Sequence, residues 1–373
     1  MKWVFWVSAI FIGYTYAGYL GWLWLRAKLQ PWPVRRGPVQ PEVSIVMAVH
    51  NEEQVLEKKL QNLVQLNYPA ARCQIVVVSD GSSDRTAEIL REHAGDARLY
   101  SVMNQLSRGK AAGLNNGIEV AQGEIVVFTD ARQMIEADAL RLLMENFADP
   151  EVGCVSGELM LGEAGTGETG RGMGLYWRLE KKVRELEAAS NSVVGATGAL
   201  YAVRRELLTP IPEGTILDDV YLPMQVARQG KRVVFDVRAR AWDSPNLGED
   251  REFARKVRTL SGNYQLLRLA PWLLSGSNRI RFEFVSHKLL RLAVPFALIV
   301  ALVSCAFLPG IFYRVCLILQ VILYALSLLA AGHFKLGFLT RVSDAALTFV
   351  LLNTAAVVAF ANYVTGKKVA WTR

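Results

Sequence analysis

The sequence predicts an α/β domain with a mostly parallel sheet, flanked by helices that cross a membrane. Three observations predict it. Short β-branched runs such as SIVMAV, QIVVVSD and EIVVFTD alternate with stretches that repeat apolar residues at helical spacing, the βαβ rhythm of a parallel sheet with right-handed crossovers. Two of those runs lead directly into a carboxylate, Asp80 and Asp130, at the strand end where open α/β sheets bind ligands. Finally, both ends of the 373-residue chain carry long uncharged segments.

The elements follow in order. Val4 to Leu25 is uncharged and long enough to cross a hydrocarbon core of about 30 Å. Its length and aromatic ends mark a retained anchor, not a cleaved signal. Residues 1–28 are therefore read as a transmembrane anchor, and residues 29–41 (QPWPVRRGPVQP from Gln30), with four prolines, as a linker. Residues 42–250 form the main domain. After SIVMAV, EEQVLEKKLQNLVQL reads as a helix. QIVVVSD leads to a helix capped by Ser82 or Ser83, RLYSVM is a third strand and KAAGLNNGIEVA another helix. EIVVFTD closes the series at Asp130, followed by the helix DALRLLMENFA. Leu161 to Gly174 is glycine-rich and reads as a mobile loop. YWRLEKKVRELEAAS is a charged helix, and VGATGALYAVRREL a turn, a strand and a helix start. Residues 251–288 suit amphipathic helices on a membrane face, and residues 289–373 two to three further spans ending in a WTR tail. Ala345 to Val364, with Asn353 and Asn362, fits a span or a re-entrant segment.

An apolar fraction of 52% and a mean hydropathy of +0.21 exceed a soluble domain's needs, and the excess sits in the terminal segments. The net charge of +8 is concentrated beside them: Arg26, Lys28, Arg35 and Arg36 follow the first, and Arg279, Arg281, Lys288 and Arg291 precede the second. By the positive-inside rule these flanks and the domain between them are cytoplasmic, in a cell or inner membrane. That charge is assigned to membrane lipids, and nucleic acid is excluded as a partner because no basic stripe with interleaved aromatics occurs. The four cysteines show no metal-type or paired spacing and read as small core or lipid-facing residues.

The polar motifs each admit two readings. In AVHNEE, Asn51 suits a ligand mouth or a helix cap. In DGSSD, Asp80 can accept a nucleobase N–H or sit in an Asp-Gly turn. In SRGKAAG, Lys110 opens a helix where phosphate binds well, or belongs to a solvated basic turn. Asp130 in FTDAR is placed to reach a hard divalent cation, which commonly takes one or two carboxylates plus substrate phosphates. Asp218 and Asp219 in ILDDV repel one another, which leaves one poised as a base, and both also suit a helix N-terminus. Arg255 and Arg258 share a helix face, for a leaving diphosphate or for snorkelling at the membrane. No G-x-G-x-x-G follows a strand, which argues against a dinucleotide-dependent dehydrogenase.

Taken in order, AVHNEE, DGSSD, RGKAAGLNNG, FTDAR, GATGALYAVRREL, LDDVYLPMQVARQGKR and FARKVRTLSGN resemble the membrane family 2 glycosyltransferases, which include cellulose, chitin, hyaluronan and poly-N-acetylglucosamine synthases. The resemblance covers roughly Glu42 to Leu267. It implies a GT-A, Rossmann-like fold and inverting transfer from a nucleotide-diphosphate sugar, UDP-GlcNAc or UDP-glucose, with Mg2+ or Mn2+. Glu52 and Asp80 would contact uridine, with Ala48 and Val49 lining the base pocket and Lys110 approaching the nucleotide. Asp130 would hold the metal as the first Asp of a DxD. Asp219, the last residue of a TED-like motif, would be the general base, beside Asp218 in the place of its Glu. Gly198, Ala199, Thr259 and the tail residue Trp371 would face the acceptor, and Arg255 and Arg258 would neutralise the leaving group.

Three departures bear on this. Arg132 stands where the second Asp of DxD would be, Asp218 replaces a Glu, and Thr259 replaces a Trp. The expected product is a growing polysaccharide. Alternatives are single-sugar transfer to a lipid acceptor such as a polyprenyl phosphate, or an inactive nucleotide-binding scaffold of a glycan export machine. Few spans for a channel imply a homo-oligomer or an accessory export subunit.

Overall fold

The computed structural model describes residues 1–162, 175–243, 249–334 and 337–367. The glycine-rich stretch from 163 to 174 and the WTR tail with Trp371 lie outside the described residues. The chain opens with a long helix, α1 (Lys2–Leu29). Three rounds of strand and helix and a fourth strand follow: β1 (Val43–Val49), α2 (Leu56–Val64), β2 (Cys73–Asp80), α3 (Thr86–Glu92), β3 (Leu99–Asn104), α4 (Lys110–Val120) and β4 (Ile125–Phe128). Beyond them come β5 (Met134–Ile135), α5 (Ala139–Glu145), β6 (Val152–Leu161), α6 (Leu175–Ser190), β7 (Tyr201–Arg204), α7 (Asp218–Arg228), β8 (Arg232–Asp243) and α8 (Glu249–Leu269). Three long helices close the described chain: α9 (Arg281–Phe307), α10 (Ile311–Ala331) and α11 (Thr340–Val364).

The eight strands make one sheet in the order β3-β2-β1-β4-β7-β6-β8-β5. Its first half is wholly parallel, as the βαβ rhythm requires. The second half is mixed: β6 and β8 are parallel, while β7 runs antiparallel to both β4 and β6, and β5 antiparallel to β8, so the sheet is mostly parallel, as expected. Alternation along β1 explains why every residue of that strand is buried. Val46 and Ala48 face one apolar core, and Val43, Ile45, Met47 and Val49 face another on the opposite side.

α1, α9, α10 and α11 are each long and apolar enough to cross a membrane. α11 is one continuous helix of 25 residues, with Asn353 buried inside the bundle, where its side chain donates to the Phe349 carbonyl. α8 lies against its end, with Tyr264 stacked on Tyr363 at 5.3 Å. The proline-rich segment after α1 is a bound strap. The Trp32 amide donates to the Ala189 carbonyl, Arg36 to Asn146, and Arg35 to the buried Asp149. Prolines leave this strap without helix or strand, yet its Trp32, Arg35 and Gly37 amides find partners on the domain.

Candidate active site

The site is assembled at the carboxyl ends of β1, β2 and β4. The loops that follow β1 and β2 are cross-bonded to one another. Asn51 sits at φ 54°, a left-handed conformation that asparagine tolerates. Its side-chain oxygen accepts from the Ser83 and Asp84 amides, and its own amide donates to Ser82 Oγ. Asn51 is thus a bridge between two loops and caps no helix, and Ser82 and Ser83 serve the same bridge in place of the expected cap on α3, which starts at Thr86.

Asp80 is fully buried, and its carboxylate accepts from Ser107 Oγ (2.9 Å), the Gly109 amide (2.8 Å), the Arg108 amide and Asn104. It therefore folds the loop that delivers Lys110. Gly109, at φ 93°, provides the backbone turn that starts α4 there. Glu52 reaches the mouth, with Arg132 Nε 3.6 Å away. Ala48 and Val49, at the end of β1, are 7% and 1% exposed, and their side chains belong to the two cores.

The sequence-predicted acids meet around Lys110. Its ammonium lies 2.9 Å from Asp130 Oδ1 and 3.2 Å from Asp218 Oδ1. Burial alone would lower its pKa, but Asp130, Asp218 and Asp219 together raise it, so it stays charged. Asp218 and Asp219 open α7, where the helix dipole favours acids. Tyr201 stacks on Phe128 at 4.7 Å and points its hydroxyl at Asp218. The Gly198 amide donates to Asp219 Oδ2 at 3.1 Å, and the Ala196 amide to the Asp219 carbonyl at 2.6 Å. A Cβ on Gly198 would stand 3.3 Å from Asp130 Oδ2, 3.5 Å from Asp219 Oδ2 and 3.7 Å from Lys110 Nζ. The gap left by that missing side chain is where the three groups converge. Burial first, and then the neighbouring Asp218 charge, push the Asp219 carboxyl up to about 6.

Beneath this gap Lys59 is fully buried, donating to Thr129 Oγ1 (2.9 Å) and the Gln133 carbonyl (2.5 Å). The Thr129 hydroxyl passes on to the Ala199 carbonyl, so one chain of bonds ties the Asp130 turn to the Gly198 turn. Sequence reasoning missed Lys59, because a lysine on a helix reads as solvent-facing. Arg255 and Thr259 lie on the outer side of α8. Arg255 pairs with Asp243 at the end of β8, while Thr259 bonds back to the Arg255 carbonyl and Arg258 sits half-buried one turn along.

Among the described residues no group of three or more His, Cys, Asp or Glu could hold a metal ion. Asp130, with 39% of its side chain exposed at the mouth, still fits a hard divalent ion that draws its remaining ligands from phosphate and water.

A Rossmann-like sheet with carboxylates and a charged lysine gathered at its strand ends, joined to apolar spanning helices, defines a membrane-associated GT-A architecture. Residues 44–210 match the family model "Glycosyl transferase family 2". Over 236 residues the chain is 26% identical to the poly-beta-1,6-N-acetyl-D-glucosamine synthase of Staphylococcus aureus (strain COL), covering 60% of this chain and 55% of the synthase. Its Staphylococcus epidermidis counterpart is 36% identical over 116 residues, 31% of this chain and 28% of that one. The chain thus spans about half the length of the curated relatives it matches. Its fold is similar from end to end to that of the mannosyltransferase PcManGT from Pyrobaculum calidifontis in complex with GDP-Man and Mn2+. The TM-score is 0.76 at 23% identity, over 98% of this chain and 99% of that one.

Proposed function

We propose that the protein is an inverting membrane glycosyltransferase that moves a sugar from a nucleotide-diphosphate sugar, UDP-GlcNAc or UDP-glucose, to a growing glycan. The catalytic domain would face the cytoplasm, on the charge of the helix flanks. One observation carries the reading: Asp130, Asp219 and Lys110 converge on the space beside Gly198. Asp219, raised to about 6, is largely ionised at neutral pH yet basic enough to take a proton. It would remove the acceptor hydroxyl proton as that oxygen forms its bond to C1 of the sugar. The C1–phosphate bond breaks on the opposite face, and the nucleotide diphosphate leaves. Lys110 supports the developing negative charge, and Arg255 and Arg258 would approach it from α8. Asp130 would hold Mg2+ or Mn2+, which would supply further neutralisation of the diphosphate.

Glu52 and the backbone at Ala48 and Val49 would border the base, while Asp80 acts through the loop it folds. Gly198 and Ala199 would face the acceptor sugar. A second reading, single-sugar transfer to a lipid acceptor, is favoured by the closeness of α8 to the last spanning helix. The structural relative was solved with GDP-Man, so GDP-sugars belong in the test. Purified full-length chain in lipid nanodiscs, given UDP- and GDP-sugars with Mn2+ and a lipid extract, should release nucleotide diphosphate and yield a glycosylated product. Mass spectrometry of that product separates a polymer from a single addition. Nucleotide binding without release for any donor would overturn the enzymatic reading in favour of a scaffold.

A further inference from the structure

The Val194–Ala199 turn, whose Ala196 and Gly198 amides hold Asp219, is gripped from two sides. The sheet holds it at Val193, whose amide donates to the Val233 carbonyl, and at Thr197, whose amide donates to Ser156 Oγ. Between them the Val194 amide donates to Glu187 Oε2 at 3.2 Å. Glu187, on α6, is fully buried, and its other oxygen accepts from the Tyr19 hydroxyl of α1 at 2.7 Å and contacts His287 Nδ1 of α9 at 2.8 Å. The opposite nitrogen of His287 lies 2.8 Å from Glu180, which Arg291 of α9 also reaches at 2.6 Å. Both membrane helices depart from α-helical geometry here. α1 has a π turn at Tyr14–Gly18 and α9 one at Val285–Leu289, and Tyr14 meets Ser286 across them at 2.9 Å. A π turn inserts an extra residue and re-aims its neighbours, and such turns are frequent at functional sites.

Buried ionic networks contribute little net stability compared with apolar packing, but a fully bonded one specifies geometry. We propose that Glu187 and His287 are positioning residues for glycosyl transfer, locking the Val194–Ala199 turn to α1 and α9 so that the spanning helices help to set where the Asp219 carboxylate stands. This rests on the transferase reading above, and one arm of its test is independent of that reading. Glu187→Gln keeps an oxygen for Tyr19, but its amide nitrogen cannot accept from Val194.

In full-length chain in nanodiscs, amide hydrogen exchange followed by mass spectrometry should speed up severalfold in peptides spanning 194–199 and stay unchanged in those spanning 104–110. In steady-state kinetics kcat should fall about tenfold while donor KM stays within twofold, because small displacements of a reacting group are costly. Unchanged exchange at 194–199, or a donor KM that rises as far as kcat falls, would overturn the proposal. A uniform rise in exchange across the chain would also overturn it, since it marks general loosening. Should Glu187→Gln not fold, Tyr19→Phe removes one donor at the edge of the network and must give the same split at about threefold. A wild-type chain that transfers no sugar sinks the proposed function, and the exchange arm still decides the role of Glu187.

Discussion

The two halves of the sheet hold their ends of the site by different means. On the donor side, β1 to β4 are parallel and their loops bond to one another: Asn51 to Ser83, Asp80 to the loop before Lys110, and His50 to the Asp80 carbonyl. That cradle is bonded chiefly within itself, with Arg108 reaching Glu213 beyond it. On the acceptor side the sheet is mixed, and the turn at Gly198 draws support from α6 and through it from two spanning helices. A cradle for a soluble nucleotide needs only its own loops. A surface that meets an acceptor near a bilayer gains from being tied to the elements that fix its height and tilt there.

The sharpest break in this comparison is at Asp219, where the two sides meet. Asp219→Asn should lower kcat by about a thousandfold while the donor dissociation constant, read by calorimetry, stays within twofold. As the proposed base, Asp219 works only when ionised, and its carboxyl is raised to about 6. In the wild-type chain log kcat/KM should therefore climb with pH, about one unit per pH unit below 6, and level off above it. The residual activity of the Asn variant should lack that limb. A variant that retains both rate and limb would move the base elsewhere.

One substitution made in each half separates chemistry from packing. At Gly198 an added methyl enters the gap between Asp130 and Asp219, so Gly198→Ala should cost about tenfold to a hundredfold in kcat with little change in melting temperature. At Gly117, on α4, a Cβ would stand 2.5 Å from Val46 Cγ1 inside the core. Gly117→Ala should therefore destabilise the fold by about 1–3 kcal/mol and leave kcat per folded molecule nearly intact. If both variants simply lose stability, the gap at Gly198 is packing space and not a reaction site.

The donor half was the legible half. β1, β2, β3 and β4 are short apolar runs with helices at 3.6-residue spacing between them, a pattern carried by the local sequence even where the pairing, as of Val43 with Ile125, is distant. β6 (VGCVSGELML) and β8 (RVVFDVRARAWD) escaped notice because glycines, serine and charges interrupt their apolar pattern. β6 pairs with both β7 and β8, and no local pattern encodes that. Asp130, Asp218 and Asp219 could be picked out as acids at a strand end and a helix start. Their meeting around Lys110 could not, nor could the saturation of Asp80 by its own loop. A carboxylate after a strand looks the same in sequence whether its partners are a ligand or the protein. Lys59 and His287 were illegible for a related reason: their value lies in burial, which tertiary contacts alone decide.

The strap sharpens the comparison further, since its Trp32–Gly37 stretch is tied to the acceptor half, while Gln40 and Pro41, next to β1, accept from Arg72 and Tyr68. Arg232, at the start of β8, is 2% exposed, and its guanidinium lies 4.3 Å from the Trp32 ring centroid while donating to the Trp32 and Ala188 carbonyls. Trp32→Ala deletes the ring but keeps the backbone acceptor, so the loss is the cation–π contact, about 1 kcal/mol at a partly exposed site. The melting temperature should fall by a few degrees. Hydrogen exchange should rise at 30–37 and at the start of β8, while β1 to β4 stay protected. Exchange that rises equally in β1 to β4 would mean that the strap braces the whole sheet, and the division of the molecule into a half bonded chiefly within itself and a membrane-tied half would fail.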